Sequence, residues 1–203
     1  MLKHIIFVGP GDRKYLSIEA LNTIEALDVG IGPERFMYIV KGKPYYIPKK
    51  IIEGTIELIK KNINSKVGVL VAGDAGFYSL TTHIIKYFGI DRVDIVPGIS
   101  IVQLAFSKIG KPWQDAHFIS LHGRDKIDLS KIEKNQKYLI LCDNKNTPAK
   151  LFTTLKYLVV KNDIWVMEDL SLNSERVIKI NDISELKNSG ETSLAVVLIS
   201  PRL

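Results

Sequence analysis

Short runs that are apolar at nearly every position recur along this chain, with helix-length segments between them. Val67-Gly68-Val69-Leu70-Val71-Ala72 is the clearest; His4-Ile5-Ile6-Phe7-Val8 is a second, apolar after its first residue, and Val93–Val96 is a third, interrupted once by Asp94. A strand with one face in water alternates apolar and polar residues, so a run without alternation needs cover on both faces. Parallel sheets obtain that cover from the helices that connect their strands. Apolar residues at helical spacing do lie between the runs: Leu16, Ala20, Leu21, Ile24 and Leu27 within Tyr15–Leu27, and similar patterns over Ile51–Ile63, Leu80–Phe88 and Ser100–Ile109. The pattern predicts an α/β fold whose N-terminal part is a mainly parallel sheet.

Gly110-Lys111-Pro112 breaks the rhythm. The chain is expected to divide there, into an N-terminal α/β domain over residues 1–111 and a C-terminal α/β domain over 112–203. In the second half, strands are expected near Phe118–Leu121, Tyr138–Leu141, Ile164–Met167, Arg176–Ile180 and Leu194–Ile199, with helices near Pro148–Leu158 and Ile183–Lys187. Ile164–Met167 and Arg176–Ile180 follow one another too closely for a crossover helix, so this sheet should be mixed. The expected architecture is two small α/β domains with a cleft between them, and such clefts hold small ligands.

Composition narrows the class. The chain has 203 residues, 46 % hydrophobic and 25 % charged, as an ordinary globular protein does. At that length it buries on the order of 70 % of its unfolded surface and needs no disulfide or metal staple. Its single cysteine, Cys142, excludes a disulfide framework and a multi-cysteine metal site. His4, His83, His117 and His122 show no metal-binding spacing, so no metal is expected. No apolar run approaches the ~20 residues that span a bilayer, and the start lacks a signal-peptide layout. A cytoplasmic setting without membrane association is therefore expected.

The 28 Lys+Arg against 22 Asp+Glu give a formal charge of +6. That balance admits a lysine-rich solvated surface, or complementarity to a ligand with many carboxylates. No run of five like charges occurs and the six arginines are dispersed, which argues against nucleic acid as a partner.

Three glycine-containing loops follow expected strands: Gly9-Pro10-Gly11-Asp12, Gly73-Asp74-Ala75-Gly76 and Pro97-Gly98-Ile99-Ser100. The carboxyl edge of an open α/β sheet is where ligands bind. Each loop is also readable as a plain strand-to-helix turn, with Asp12 or Ser100 as a helix cap; three on one edge favour a site. None matches a dinucleotide, P-loop or nucleophile-elbow motif. Leu121-His122-Gly123-Arg124-Asp125 also follows a strand, and its His and Arg suit a carboxylate-bearing ligand, or else form a solvated turn. Cys142 reads as a small packing residue rather than a nucleophile.

In order and over essentially the whole chain, Val8-Gly9-Pro10-Gly11-Asp12, Gly73-Asp74-Ala75-Gly76-Phe77-Tyr78 and Pro97-Gly98-Ile99-Ser100 resemble the tetrapyrrole methylase superfamily. Within it, Gly98–Ala105, Lys111–Ala116 and Ser120-Leu121-His122-Gly123-Arg124 resemble the cobalt-precorrin-7 C5-methyltransferase family of cobalamin biosynthesis. The resemblance implies a C-methyltransferase that uses S-adenosylmethionine, folded into the inter-domain cleft, to methylate C5 of a corrin precursor. Carried over position by position, its cofactor contacts fall on Pro10, Ala72, Gly73, Asp74, Phe77, Ser100 and Ile101, and on Cys142 and Leu170 of the second domain. The macrocycle is expected near Gly11, Asp12, His122, Gly123 and Arg124, with Asp12 and His122 as candidate proton acceptors.

Three positions depart from the superfamily pattern: Ala75 stands where proline is usual, Ile101 where a small hydroxyl residue is common, and Glu168-Asp169-Leu170 lacks a glycine. The resemblance further implies a homodimer. The chain stops where a fused C15-methylating and decarboxylating domain would begin, so a separate C15 enzyme is expected as a partner. Methylation of another corrin position or of a diphthamide precursor are the alternatives within the superfamily, and a basic RNA-binding module lies further off.

Overall fold

The computed structural model describes residues 5–9, 11–123, 129, 132–133, 135–155, 158, 161–182, 184–185 and 194–202. Of the features expected above, His4, Pro10, Arg124 and most of the helix near Ile183–Lys187 lie outside them. The chain forms two compact units, Met1–Ile101 and Val102–Leu203. The change of unit falls at the start of a helix that ends just before Gly110-Lys111-Pro112.

In the first unit, β1 (Ile5–Val8), β4 (Val67–Leu70) and β5 (Val93–Val96) are the three expected apolar runs. Two short strands, β2 (Val29–Ile31) and β3 (Tyr45–Tyr46), complete a sheet in the order β3-β2-β4-β1-β5. Every pairing is parallel. Cover on both faces explains the lack of alternation. Ile5, Val67 and Val69 pack with Ile59 of α2 (Ile51–Lys61) and Ile84 of α3 (Thr81–Phe88). Ile6, Val8 and Leu70 pack on the other side with Ala20 and Ile24 of α1 (Ile18–Glu25) and with Phe36 of a 3-10 segment, Glu34–Ile39. Gly68 has no side chain because Leu27 occupies that space: a Cβ there would lie 2.2 Å from a Leu27 methyl.

The helix expected over Tyr15–Leu27 is shorter than its periodicity. Asp12 caps a 3-10 turn at Arg13–Tyr15, and Ser17 Oγ then accepts from Ala20 N at 3.0 Å to start α1 afresh. At its other end, Lys43 Nζ donates to the carbonyls of Ile24 (3.3 Å), Glu25 and Leu27 (2.6 Å), the acceptors that a helix end leaves without partners. Nothing local in the sequence marks a lysine 16 to 19 residues away as a cap. Lys43→Met is expected to lower stability by about 1–2 kcal/mol. Urea unfolding would read this as a lower midpoint at unchanged slope.

The second unit holds α4 (Ile101–Ile109) for all but its first residue, then β6 (Ala116–Ser120), β7 (Lys137–Leu141), α5 (Pro148–Leu155), β8 (Asn162–Glu168), β9 (Arg176–Ile180) and β10 (Ala195–Pro201). The order is β6-β7-β10-β8-β9. β6 and β7 are parallel and the other three pairings antiparallel, so the sheet is mixed, as the close spacing of β8 and β9 requires. β10 lies between β7 and β8 and is buried from Ala195 to Ser200. Leu151 and Leu155 of α5 pack with Ile140, Val166 and Val197. Among the described residues no helix is long and apolar enough to cross a membrane.

Candidate active site

Parallel, in-register pairing brings three loops to one edge of the first sheet. Val8 stands opposite both Leu70 and Val96, so the chain leaves β1, β4 and β5 at the same level. Three glycines then meet backbone to backbone. A Cβ on Gly9 would lie 2.2 Å from Gly73 O, and one on Gly98 would lie 2.3 Å from Gly9 O and 2.7 Å from Gly73 O. Gly73 itself turns with φ +69°, a left-handed conformation that suits glycine. Ser100 and the Ile101 backbone sit against it.

Asp74 ties these loops together. One carboxylate oxygen accepts from Gly76 N at 2.8 Å within its own loop, and the other accepts from Gly98 N at 3.1 Å across to the next. Phe77 N donates to Asp74 O at 3.2 Å, and the Phe77 and Tyr78 rings meet edge to face at 4.7 Å. Thr81 N donates to Ser79 Oγ at 3.2 Å, while the Ser79 and Thr81 hydroxyls both donate to Ala75 O, which fixes the start of α3. Ala72 and Gly76 stay exposed. Beside Ala72, at the carboxyl ends of β2 and β4, opens a cavity of about 410 Å³ with a mostly apolar wall that includes Ile47, Ile51, Val71 and Tyr78.

The first-unit residues singled out from sequence therefore converge: Gly73, Asp74, Phe77, Ser100 and Ile101 belong to one tied set of loops, with Ala72 at its open side. Gly11 and Asp12 are half-buried on the β1 loop, where Asp12 Oδ1 accepts from Lys14 N at 2.9 Å. That is the capping role which the sequence offered as an alternative.

The second sheet also gathers its candidates at one end. Ser120 stands opposite Leu141, Val196 opposite Leu141, and Ala195 opposite Glu168. Leu121 N donates to Leu141 O, Cys142 N to Ala195 O and Asp169 N to Leu194 O, each at 3.0–3.1 Å. His122 and Gly123, Cys142, and Leu170 thus follow strand ends that lie side by side. His122 is exposed, and Gly123 has φ +69°. The Cys142 side chain is buried in the core, and burial, with the Asp143 charge adding to it, pushes the thiol up to about 12. It is a neutral packing group. Asp169 and Ser171 adopt φ +49° and +78°, so this loop makes its left-handed turns without the glycine that the superfamily pattern often has.

Asp143 was not among the sequence candidates, yet it organises this end. Its oxygens accept from Gly123 N (3.0 Å), Lys145 N (2.9 Å) and Asn146 N (2.6 Å), while Asn146 Nδ2 donates to Leu121 O at 3.1 Å. Asp143-Asn144-Lys145-Asn146 after a strand is the available signal, since Asp in that place bonds the backbone two and three residues on. Burial opposes the charged form, but the Asn146, Gly123 and Lys145 N–H donors and nearby His122 outweigh it and hold the carboxyl below its ordinary range. A depressed carboxyl contributes stability above its unfolded pKa of about 4 and loses it as pH falls through the lower folded value. Asp143→Ala is expected to flatten the acid limb of the stability profile below about pH 4 and to raise hydrogen exchange at Gly123.

The chain is 32 % identical, over 95 % of each chain, to a probable cobalt-precorrin-7 C(5)-methyltransferase of Methanocaldococcus jannaschii. A precorrin-6Y methylase from Archaeoglobus fulgidus has the same fold, with a TM-score of 0.75 at 19 % identity over 98 % of this chain and 99 % of that one. So has a uroporphyrin-III C-methyltransferase from Thermus thermophilus complexed with S-adenosyl homocysteine, with a TM-score of 0.74 at 20 % identity over 97 % of each chain. Residues 4–187 match the profile of the Tetrapyrrole (Corrin/Porphyrin) Methylases, and the chain belongs to that family.

Proposed function

We propose that this protein is an S-adenosylmethionine-dependent C-methyltransferase acting at C5 of cobalt-precorrin-7 in cobalamin biosynthesis. The observation that carries this reading is the near full-length identity to the M. jannaschii protein of that description, 32 % over 95 % of each chain. The His122-Gly123 turn, anchored through Asp143, stands in the stretch that resembles this C5 family in particular.

The loops of the first sheet fit the cofactor. Their backbone is shaped by Asp74 and by glycine contacts, Ala72 is exposed, and the cavity beside it is large enough for part of a small molecule. Ala72, Gly73, Asp74, Phe77, Ser100 and Ile101 would hold it, with Pro10, Cys142 and Leu170 as further contacts. Cys142 would act through its backbone, because its thiol is buried and neutral. When bound, S-adenosylmethionine supplies an electrophilic sulfonium methyl group for a carbon nucleophile. The chain's part is to orient the two reactants and exclude water, worth several kcal/mol without a covalent catalyst. Gly11, Asp12, His122, Gly123 and Arg124 would face the macrocycle. His122, exposed and beside the Asp143 carboxylate, is the better placed proton acceptor, since Asp12 already caps a turn.

A homodimer in the cytoplasm, working beside a separate C15-methylating and decarboxylating enzyme, is the setting we propose. Calorimetric titration with S-adenosylhomocysteine should give about one site per chain, and methyl transfer to cobalt-precorrin-7 should place the label at C5. Transfer to a protein substrate or to another ring position would overturn the assignment.

A further inference from the structure

At the far end of the second sheet from His122, the cations outnumber the acids. Asp163 stands opposite Ser200 and Glu168 opposite Ala195, so this end lies five residues, about 17 Å, from the candidate loops. Here Lys111, Asp163, Lys179, Ile180, Asn181 and Arg202 line an open basin of about 490 Å³. Among the described lining residues Asp163 is the one carboxylate, and two cations already share it: Lys179 Nζ at 3.2 Å and Arg202 Nε at 3.3 Å. Lys111 Nζ instead donates to two neutral acceptors, Ser200 Oγ at 2.9 Å and Pro201 O at 3.1 Å. The Lys111 and Lys179 ammonium groups both lie within 6 Å of the Trp165 ring, at 5.3 and 5.6 Å. Lys137, whose own partner is Asp115 at 2.7 Å, adds a further positive charge nearby.

Crowding like charges in a concave place is unfavourable unless something relieves it, and here Lys179 and Arg202 are exposed while Lys111 is partly buried. Burial chiefly, and then Lys137 and Lys179, disfavour the charged form of Lys111, while Asp163 offsets this in part. An anion in the basin would favour all three lining cations at once. Arg202 and the two lysines could donate to its oxygens while Trp165 fixes where the ammonium groups stand.

We propose that Lys111, Lys179 and Arg202 form a binding site for a compact polyanion, a small molecule carrying clustered phosphate or carboxylate groups. Within the second sheet it lies at the opposite end from His122, Cys142 and Leu170, and the proposal does not rest on the methyltransferase reading.

The test is calorimetric titration of the full chain at low ionic strength with pyrophosphate and, separately, with tricarballylate. Saturable binding at one site per chain is expected for at least one of them. Lys179→Glu and Lys111→Met should each weaken it about tenfold or more, as loss of a charge-assisted contact does. Lys61→Glu, with the same charge change as Lys179→Glu but at the exposed end of α2, should leave it nearly unchanged. Thermal unfolding of each variant establishes that it is folded, and Lys179→Gln gives a milder second variant at the same exposed position. Binding of pyrophosphate alone assigns phosphate chemistry, binding of tricarballylate alone assigns carboxylate chemistry, and binding of both assigns charge as the criterion. No binding of either probe overturns the proposal. So does equal weakening by Lys61→Glu, which would make net charge the whole effect.

Discussion

Gly98→Ala is expected to cost about 3 kcal/mol of stability and to abolish S-adenosylhomocysteine binding. The added Cβ would meet Gly9 O at 2.3 Å and Gly73 O at 2.7 Å. Both are backbone atoms just beyond the ends of strands β1 and β4, which are hydrogen-bonded side by side in the centre of the sheet, so neither can swing aside as a side chain would. Relief must come from parting two of the three loops. Gly76→Ala is the matched control: its Cβ would touch only Asp74 Oδ1, at 3.1 Å. Urea unfolding and calorimetry on the pair would separate the two substitutions. If Gly98→Ala kept both stability and binding, the close packing of these loops would have no part in holding a ligand.

Asp74→Ala is expected to be nearly as damaging to binding while leaving more of the fold intact. It removes the acceptor for Gly76 N and Gly98 N together. Hydrogen bonds to a charged group contribute about 1.5–3 kcal/mol each, and half-exposure of Asp74 reduces that, so a stability loss of about 2 kcal/mol is expected. S-adenosylhomocysteine affinity should fall by about tenfold or more, because the loops must then be ordered at the expense of binding. Asp74→Asn keeps one acceptor oxygen and should fall between. An Asp74→Asn variant as impaired as Asp74→Ala would point instead to direct contact between the carboxylate's charge and the ligand.

Much of this was legible in the chain itself, and the rest was hidden either by the shortness of an element or by distance along the sequence. Runs such as Val67–Leu70 show their double burial directly, because no polar residue interrupts them, and the close spacing of β8 and β9 dictates an antiparallel pair. β2 and β3 escaped notice because three and two residues are too short to display a period. Gly30, at the centre of β2, also looks like a turn residue. It is glycine because the Tyr45 ring lies where a side chain would go, 2.7 Å from a Cβ placed there. Loops Gly9–Asp12, Gly73–Gly76 and Pro97–Ser100 were recognisable as an edge; that Asp74 bridges two of them was not, since Gly98 is 24 residues away. Lys43 was missed for the same reason, and so was the bond from Gly123 N to Asp143, 20 residues apart; the bonds from Lys145 N and Asn146 N to Asp143 are local.

The position of β10 has a consequence for how the protein is made. All four other strands of its sheet precede it in the chain, yet it forms the middle. Before residues 195–201 leave the ribosome, β6 with β7 and β8 with β9 are two separate pairs, each with an open apolar edge. The first sheet has all of its strands by residue 96 and can close while synthesis continues. The nascent second half must therefore wait, edges exposed, for one late strand to zip both pairs into a single sheet.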